Sequence, residues 1–105
     1  MKEERNYCVY LMMNKRNTVI YTGISGSLLG RVYQHKKGEI AGFTQKYKVK
    51  KLVHFEMTNN PYDAICREKQ IKSWSRKRKL ELIKRDNPNF NDLAKDWYEE
   101  KFENE

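Results

Sequence analysis

The sequence predicts an α+β fold: a small antiparallel or mixed three-stranded sheet flanked by helices, in the order ββαβα with an added helical C-terminus. Three observations predict it. Two runs rich in aromatic and β-preferring residues, Tyr7 to Met13 and Thr18 to Thr22, flank the polar link Asn14-Lys15-Arg16-Asn17, which is the composition of a β-hairpin. A third run, Lys51 to Met57, alternates as a strand does, with Leu52, Val53 and Phe55 as its apolar members. The pair Asn60-Pro61 then opens a helix: asparagine caps free N–H groups, proline is preset at the first helical position, and Asp63 adds negative charge to the first turn.

Between these anchors the chain is read as follows. Gly23 to Gly26 break the second strand, Ser25 or Ser27 caps, and Leu28, Leu29, Val32 and Tyr33 carry helical spacing, with Gly30 costing that helix about 1 kcal/mol. Lys36 to Lys48 is basic, contains Gly38 and Gly42 and shows no sustained period, so a loop is expected. The Asn60-Pro61 helix should run to about Trp74, with Ser73 or Ser75 re-capping before Arg76 to Arg85 continues helically with Leu80 and Ile83 inward. Asp86-Asn87-Pro88 ends that helix. A last short helix is expected around Asp92 to Tyr98, docked by Leu93, Trp97 and Phe102.

At 105 residues one domain is expected, spanning residues 1–98, with 99–105 as an acidic, fraying tail. The 22 lysines and arginines against 14 acids give +8, and charged residues form 34% of the chain, so a polyanion is the natural electrostatic partner and a solvated basic face the blander reading. Only Cys8 and Cys66 are present, in no zinc or disulfide spacing, which fits a reduced compartment. The apolar run after Met1-Lys2-Glu3-Glu4-Arg5 is too short for a signal peptide, and none approaches the ~20 residues of a membrane span, so a cytoplasmic location without membrane association is expected.

Several residues stand out chemically. Arg31 and His35 are four apart on one helix, so both project from one face at the edge of the Leu28 and Val32 stripe and can grip one phosphate. Glu68 projects into the helical arc of Ala64, Ile65 and Ile71, where a carboxylate needs a cation partner such as Arg31, hydrogen bonds or a metal ion. Tyr10 and Tyr21 occupy adjacent strands, where tyrosines ordinarily pack half-buried. Lys69, Lys72, Arg76, Lys77, Arg78 and Lys79, continued by Lys84 and Arg85 and interleaved by Trp74, suggest a phosphate-tracking surface, although a tryptophan in a small domain is usually core. His54, on the third strand, has no partner evident in the sequence and reads as a sheet residue.

The register Cys8-Val9-Tyr10, then Tyr21-Thr22-Gly23, then Arg31 eight residues after Gly23 and His35 four later, resembles the GIY-YIG nuclease superfamily. The segment Ala64 to Lys72, with Arg67-Glu68-Lys69 at its centre, is similar to that of the small stand-alone bacterial members. The resemblance implies hydrolysis of DNA phosphodiester bonds with one Mg²⁺ or Mn²⁺ ion. By it, Tyr10, Tyr21, Arg31, His35 and Glu68 form the catalytic set, with Glu68 as the metal ligand, Gly23 as a structural turn, and Asn87 or Asn91 as the family's late asparagine. One carboxylate suffices for Mg²⁺, which keeps several waters and takes substrate phosphate oxygens.

The chain departs from the motif where Cys8 stands for a glycine, where Thr22 stands for an aliphatic residue, and at Ile24, where some members carry a lysine. Larger members attach target-choosing domains, so low sequence specificity is expected here, with any selectivity resting on DNA shape such as a branch, flap or nick. A role in repair or recombination follows by analogy only. The rivals are a non-catalytic nucleic-acid-binding module on the same scaffold, acting with a protein partner, and an interaction domain whose charge only aids solubility. Presence of all five reactive side chains favours the enzyme over both.

Overall fold

The computed structural model describes residues 6–102. The segment Met1 to Arg5 and residues 103–105 of the expected tail lie outside the described residues. Three strands, β1 (Tyr7–Asn14), β2 (Ile20–Ser25) and β3 (Val49–Thr58), form one antiparallel sheet in the order β2-β1-β3. The helices are α1 (Leu28–Lys37), the four-residue α2 (Phe43–Lys46), α3 (Pro61–Lys72) and α4 (Arg76–Asp86).

The central strand is buried on both faces, with every residue from Cys8 to Met13 at most 2% exposed. Successive side chains of a strand point to opposite faces. Val9, Leu11 and Met13 therefore pack with Val53 against Ala64 and Ile71 of α3 and Leu82 and Ile83 of α4. Cys8, Tyr10 and Met12 pack on the other side with Val32 of α1, Leu52 and Ala94. Each such burial contributes about 1.5–3 kcal/mol relative to exposure for a large aliphatic side chain, so β1 organises both layers.

The hairpin closes where the composition places it. Asn14 Oδ1 accepts from the amides of Thr18 and Val19 at 2.9 and 3.0 Å, and Asn17 takes a left-handed φ of 59°. The expected break at Gly23 to Gly26 does not occur at Gly23. The strand continues to Ser25 because Gly23 pairs with Tyr10 in the sheet. Ser27 then caps α1, accepting from the Gly30 amide at 3.4 Å, while Ser25 Oγ braces Ser27.

The stretch expected as a loop from Lys36 to Lys48 instead finishes α1, turns at Gly38 with φ 73°, and forms α2. The Gly38 amide and its neighbour bond back to the last turn of α1, which is the glycine-capped helix end. Asn60 caps α3 by accepting from Tyr62 and Asp63, and Ser75 re-caps the chain into α4. The helix expected at Asp92 to Tyr98 is replaced by turns. There the backbone is committed to the edge strand: the Leu93 amide donates to Leu52 O at 2.7 Å, and Asp92 Oδ1 accepts from Leu52 at 3.1 Å and from Ala94 at 3.0 Å. Ala94 is the buried docking residue of this segment, with Trp97 half-buried, whereas Leu93 is exposed.

The segment is also tied to α1. Lys36 pairs with Asp92, Tyr98 donates to Leu29 O at 2.6 Å, Glu100 accepts from Tyr33 and Lys37, and Phe102 packs edge-on against Tyr33. These contacts fix the helix that carries Arg31 and His35. Among the described residues, no helix is long and apolar enough to cross a membrane.

Candidate active site

The alternation that buries Val9 and Leu11 under α3 turns Tyr10 toward α1, and the antiparallel register brings Tyr21 and Gly23 to the same face. His35, one turn after Arg31 on α1, lies above them. Tyr10 Oη sits 3.0 Å from His35 Nε2, and both residues are buried. The Tyr21 ring centre is 6.2 Å from that of Tyr10 and 5.4 Å from that of His35. Three side chains from β1, β2 and α1 thus form one contact cluster.

Gly23 makes the cluster possible. A β-carbon there would lie 2.4 Å from Tyr10 Cζ and 2.8 Å from Tyr21 Cε2, so no other residue fits without displacing both rings. The requirement is close approach, because Gly23 has ordinary strand geometry rather than a left-handed φ.

Burial governs the electrostatics. The His35 imidazole is pushed down to about 4, first by desolvation and then by the positive charge of Arg31, so the ring is neutral at pH 7. Desolvation pushes the Tyr10 phenol far above its usual value; Tyr21 and Glu68 add to this and Arg31 opposes it. Tyr10 is therefore a neutral hydroxyl that senses both Arg31 and Glu68. His35 Nδ1 is buried with no hydrogen-bond partner among the described residues. Whichever nitrogen of His35 carries the proton, Nδ1 is left with an unmet polar function.

Glu68 comes from α3, on the opposite layer. Its side chain is 14% exposed and pairs at 2.9 Å with Lys72, one turn along the helix and 53% exposed, rather than with Arg31. Of the arc expected to enclose it, Ala64 and Ile71 are buried but Ile65 is exposed. Among the described residues no three His, Cys, Asp or Glu side chains group as a metal cage. A single shielded carboxylate, paired among the described residues with an exposed lysine, fits an ion that keeps most of its waters and takes phosphate oxygens, and does not fit a zinc-type site.

The basic run divides. Lys69 and Lys77 are exposed, Lys79 is half-buried, and Lys72 is engaged by Glu68. Arg76 donates at 2.9 Å to both Asn17 O and Thr18 O, joining α4 to the hairpin turn. Trp74 is half-buried against the α3 and α4 core, with the guanidinium groups of Arg67 and Arg78 at 5.1 and 4.1 Å from its ring centre. Asn87 is buried as the C-cap of α4 and donates to Val53 O at 3.1 Å and Asn91 O at 2.9 Å, while Asn91 is exposed. Both asparagines lie in the turn after α4, bonded to each other, with Asn87 also bonded to β3.

His54 does have a partner. Its Nε2 lies 2.8 Å from Glu56 Oε2, and Glu56 receives a forked pair from Arg67 at 2.8 and 3.0 Å, which holds its carboxyl below the usual range. The i, i+2 spacing of His54 and Glu56 on one strand was the available signal. Sequence reasoning also missed Phe43, whose ring stacks on Tyr21 at 6.3 Å and an interplanar angle of 28°.

The chain is similar to known proteins in sequence and in fold. The model of the GIY-YIG catalytic domain matches residues 6–81. A UPF0213 protein of Syntrophus aciditrophicus is 38% identical over 81 residues, spanning 76% of this chain and 91% of that protein. One of Pediococcus pentosaceus is 33% identical over 76 residues, spanning 72% and 79%. The solution NMR structure of a UPF0213 protein from Bacillus halodurans shares the fold, with a TM-score of 0.55 at 24% identity over 86% of this chain and 95% of that one.

Proposed function

Since this chain belongs to the GIY-YIG family, a family of nuclease type acting on nucleic acid, we propose that it is an endonuclease that hydrolyses phosphodiester bonds in DNA with one Mg²⁺ or Mn²⁺ ion and little sequence specificity. The observation that carries the reading is the joining of Tyr10, Tyr21 and His35 over Gly23, with the neighbouring charges of Arg31 and Glu68 both felt at the Tyr10 hydroxyl. A buried cluster with unmet hydrogen-bonding capacity, within electrostatic reach of a cation and a carboxylate, suits a phosphate and a water molecule better than it suits packing.

Glu68 would hold the ion, with Lys72 swinging aside as its exposure allows. When bound, the ion supplies positive charge to the scissile phosphate and the departing 3′ oxygen. Tyr21, more exposed than Tyr10, orients the attacking water, because the Tyr10 hydroxyl is engaged by His35 and its burial disfavours ionisation. His35 stays neutral, holds the Tyr10 hydroxyl through Nε2, and keeps at Nδ1 the hydrogen-bonding capacity for a buried water. Arg31 stabilises charge that builds on the phosphate in the transition state. The exposed lysines of residues 69–79 would bind backbone phosphates.

The pairing of Glu68 with Lys72 is what a non-catalytic DNA-binding module would also show, so the two readings are separated by reaction. The test is nicking of supercoiled plasmid and of a branched duplex with Mg²⁺, Mn²⁺ or EDTA. Metal-dependent cutting supports the nuclease. Salt-sensitive binding with no cutting under any metal supports the module.

A further inference from the structure

Beside the tyrosine cluster, α2 presents two aromatic rings to solvent. Phe43 and Tyr47 are 48% and 42% exposed, unusually open for adjoining aromatic residues, and their ring centres are 4.9 Å apart. One side of Phe43 is stacked on Tyr21, so the ledge is continuous with the site, and Gly42 at φ 98° sets the turn that delivers it. Tyr47 in turn lines a groove of about 280 Å³ with Asn14, Lys15, Arg16 and Lys48, and the ammonium of Lys46 lies 5.3 Å from its ring centre. An aromatic step thus runs from Tyr21 into a groove lined by Lys15, Arg16 and Lys48.

This combination selects a ligand with π-faces and a negatively charged backbone. A base within a duplex has both faces covered by its neighbours and cannot lie on the ledge, whereas an unpaired base can. We propose that Phe43 and Tyr47 form a stacking ledge for an unpaired nucleobase flanking the phosphate to be cut, with the adjoining backbone in the Lys15 and Arg16 groove. The proposal rests on DNA being the substrate and specifies which DNA: a strand that is unpaired beside the cleavage point, as at a flap or branch.

The test is equilibrium binding in EDTA, where no metal-dependent cutting intervenes. It compares a fully paired duplex with the same duplex carrying a short flap that contains 2-aminopurine. The full-length wild type should prefer the flap and quench the 2-aminopurine. Phe43→Ala should lose about tenfold of that preference and the quenching, in line with about 1–3 kcal/mol per stacked base, while Phe43→Trp should retain both. No preference in the wild type, or an undiminished preference in Phe43→Ala, overturns the ledge. A wild type that cuts plasmid without such preference refutes the ledge alone. One that shows Phe43-dependent preference but never cuts refutes the nuclease alone.

Discussion

The ring of Tyr10 occupies the space that a β-carbon on Gly23 would claim, with its hydroxyl 2.5 Å from that position. The two residues are paired across β1 and β2, so neither can shift without parting the hairpin. The glycine of the second motif is thereby a steric requirement of the tyrosine of the first.

Gly23→Ala is expected to destabilise the fold by about 1–3 kcal/mol through overpacking and to abolish any cutting, because Tyr10 and Tyr21 must both move. Thermal unfolding and plasmid nicking measure the two effects. An alanine variant that melts with the wild type would show that the rings have room elsewhere.

Tyr10→Phe removes the partner of His35 Nε2 while keeping the ring. Leaving a buried imidazole nitrogen without its bond should cost about 1–3 kcal/mol. Urea unfolding reads this directly, and an unchanged midpoint would mean that the 3.0 Å contact contributes nothing.

Stability should fall as the solution is acidified. The folded His35 titrates at about 4, below its ordinary value near 6.5, so the unfolded chain takes up the proton first. Stability is full above about 6.5, declines between about 6.5 and 4, and has no further loss from this group below that range. The interval corresponds to roughly 3 kcal/mol. Carboxylates also contribute at its lower end, so the decisive comparison is with His35→Gln, whose unfolding free energy should depend less steeply on pH between 6.5 and 5. Parallel curves would remove His35 as the cause.

Lys36 and Asp92 form an ion pair beside the edge strand, where Asp92 also accepts from Leu52 and Ala94. Lys36→Met leaves the carboxylate without its cation and should cost about 3 kcal/mol. The double variant Lys36→Met with Asp92→Asn should be more stable than the sum of the single losses allows, because neither charge is then stranded. Simple additivity of the unfolding free energies would contradict a coupled pair.

The elements with local signals were legible in the sequence. Asn60-Pro61 and Ser75 act as caps where expected, and the helical projection of Glu68 anticipates its shielding between Ala64 and Ile71. What was not legible depends on distant partners. Gly23 reads as a strand breaker until its pairing with Tyr10 makes it the one residue that fits. Asp92 to Tyr98 has the apolar residues of a docked helix, yet the Leu93 amide donates to Leu52 O and the Asp92 side chain accepts from the Leu52 amide, forty positions earlier. The four-residue α2 is too short to show a period, which hid the contact of Phe43 with Tyr21. The partner of Glu68 was the nearby Lys72 rather than Arg31, a choice made by the helix's own i, i+4 geometry.

The most direct test of the nuclease reading is single-turnover cleavage of a flap DNA in Mg²⁺ by the wild type and by Glu68→Gln, at protein concentrations that saturate binding. The expected result is cutting by the wild type and a loss of about a hundredfold or more in the variant, with DNA affinity in EDTA unchanged. A Glu68→Gln variant that cuts as fast as the wild type would contradict the assignment of Glu68 as the metal-holding carboxylate, and with it the mechanism built on this cluster.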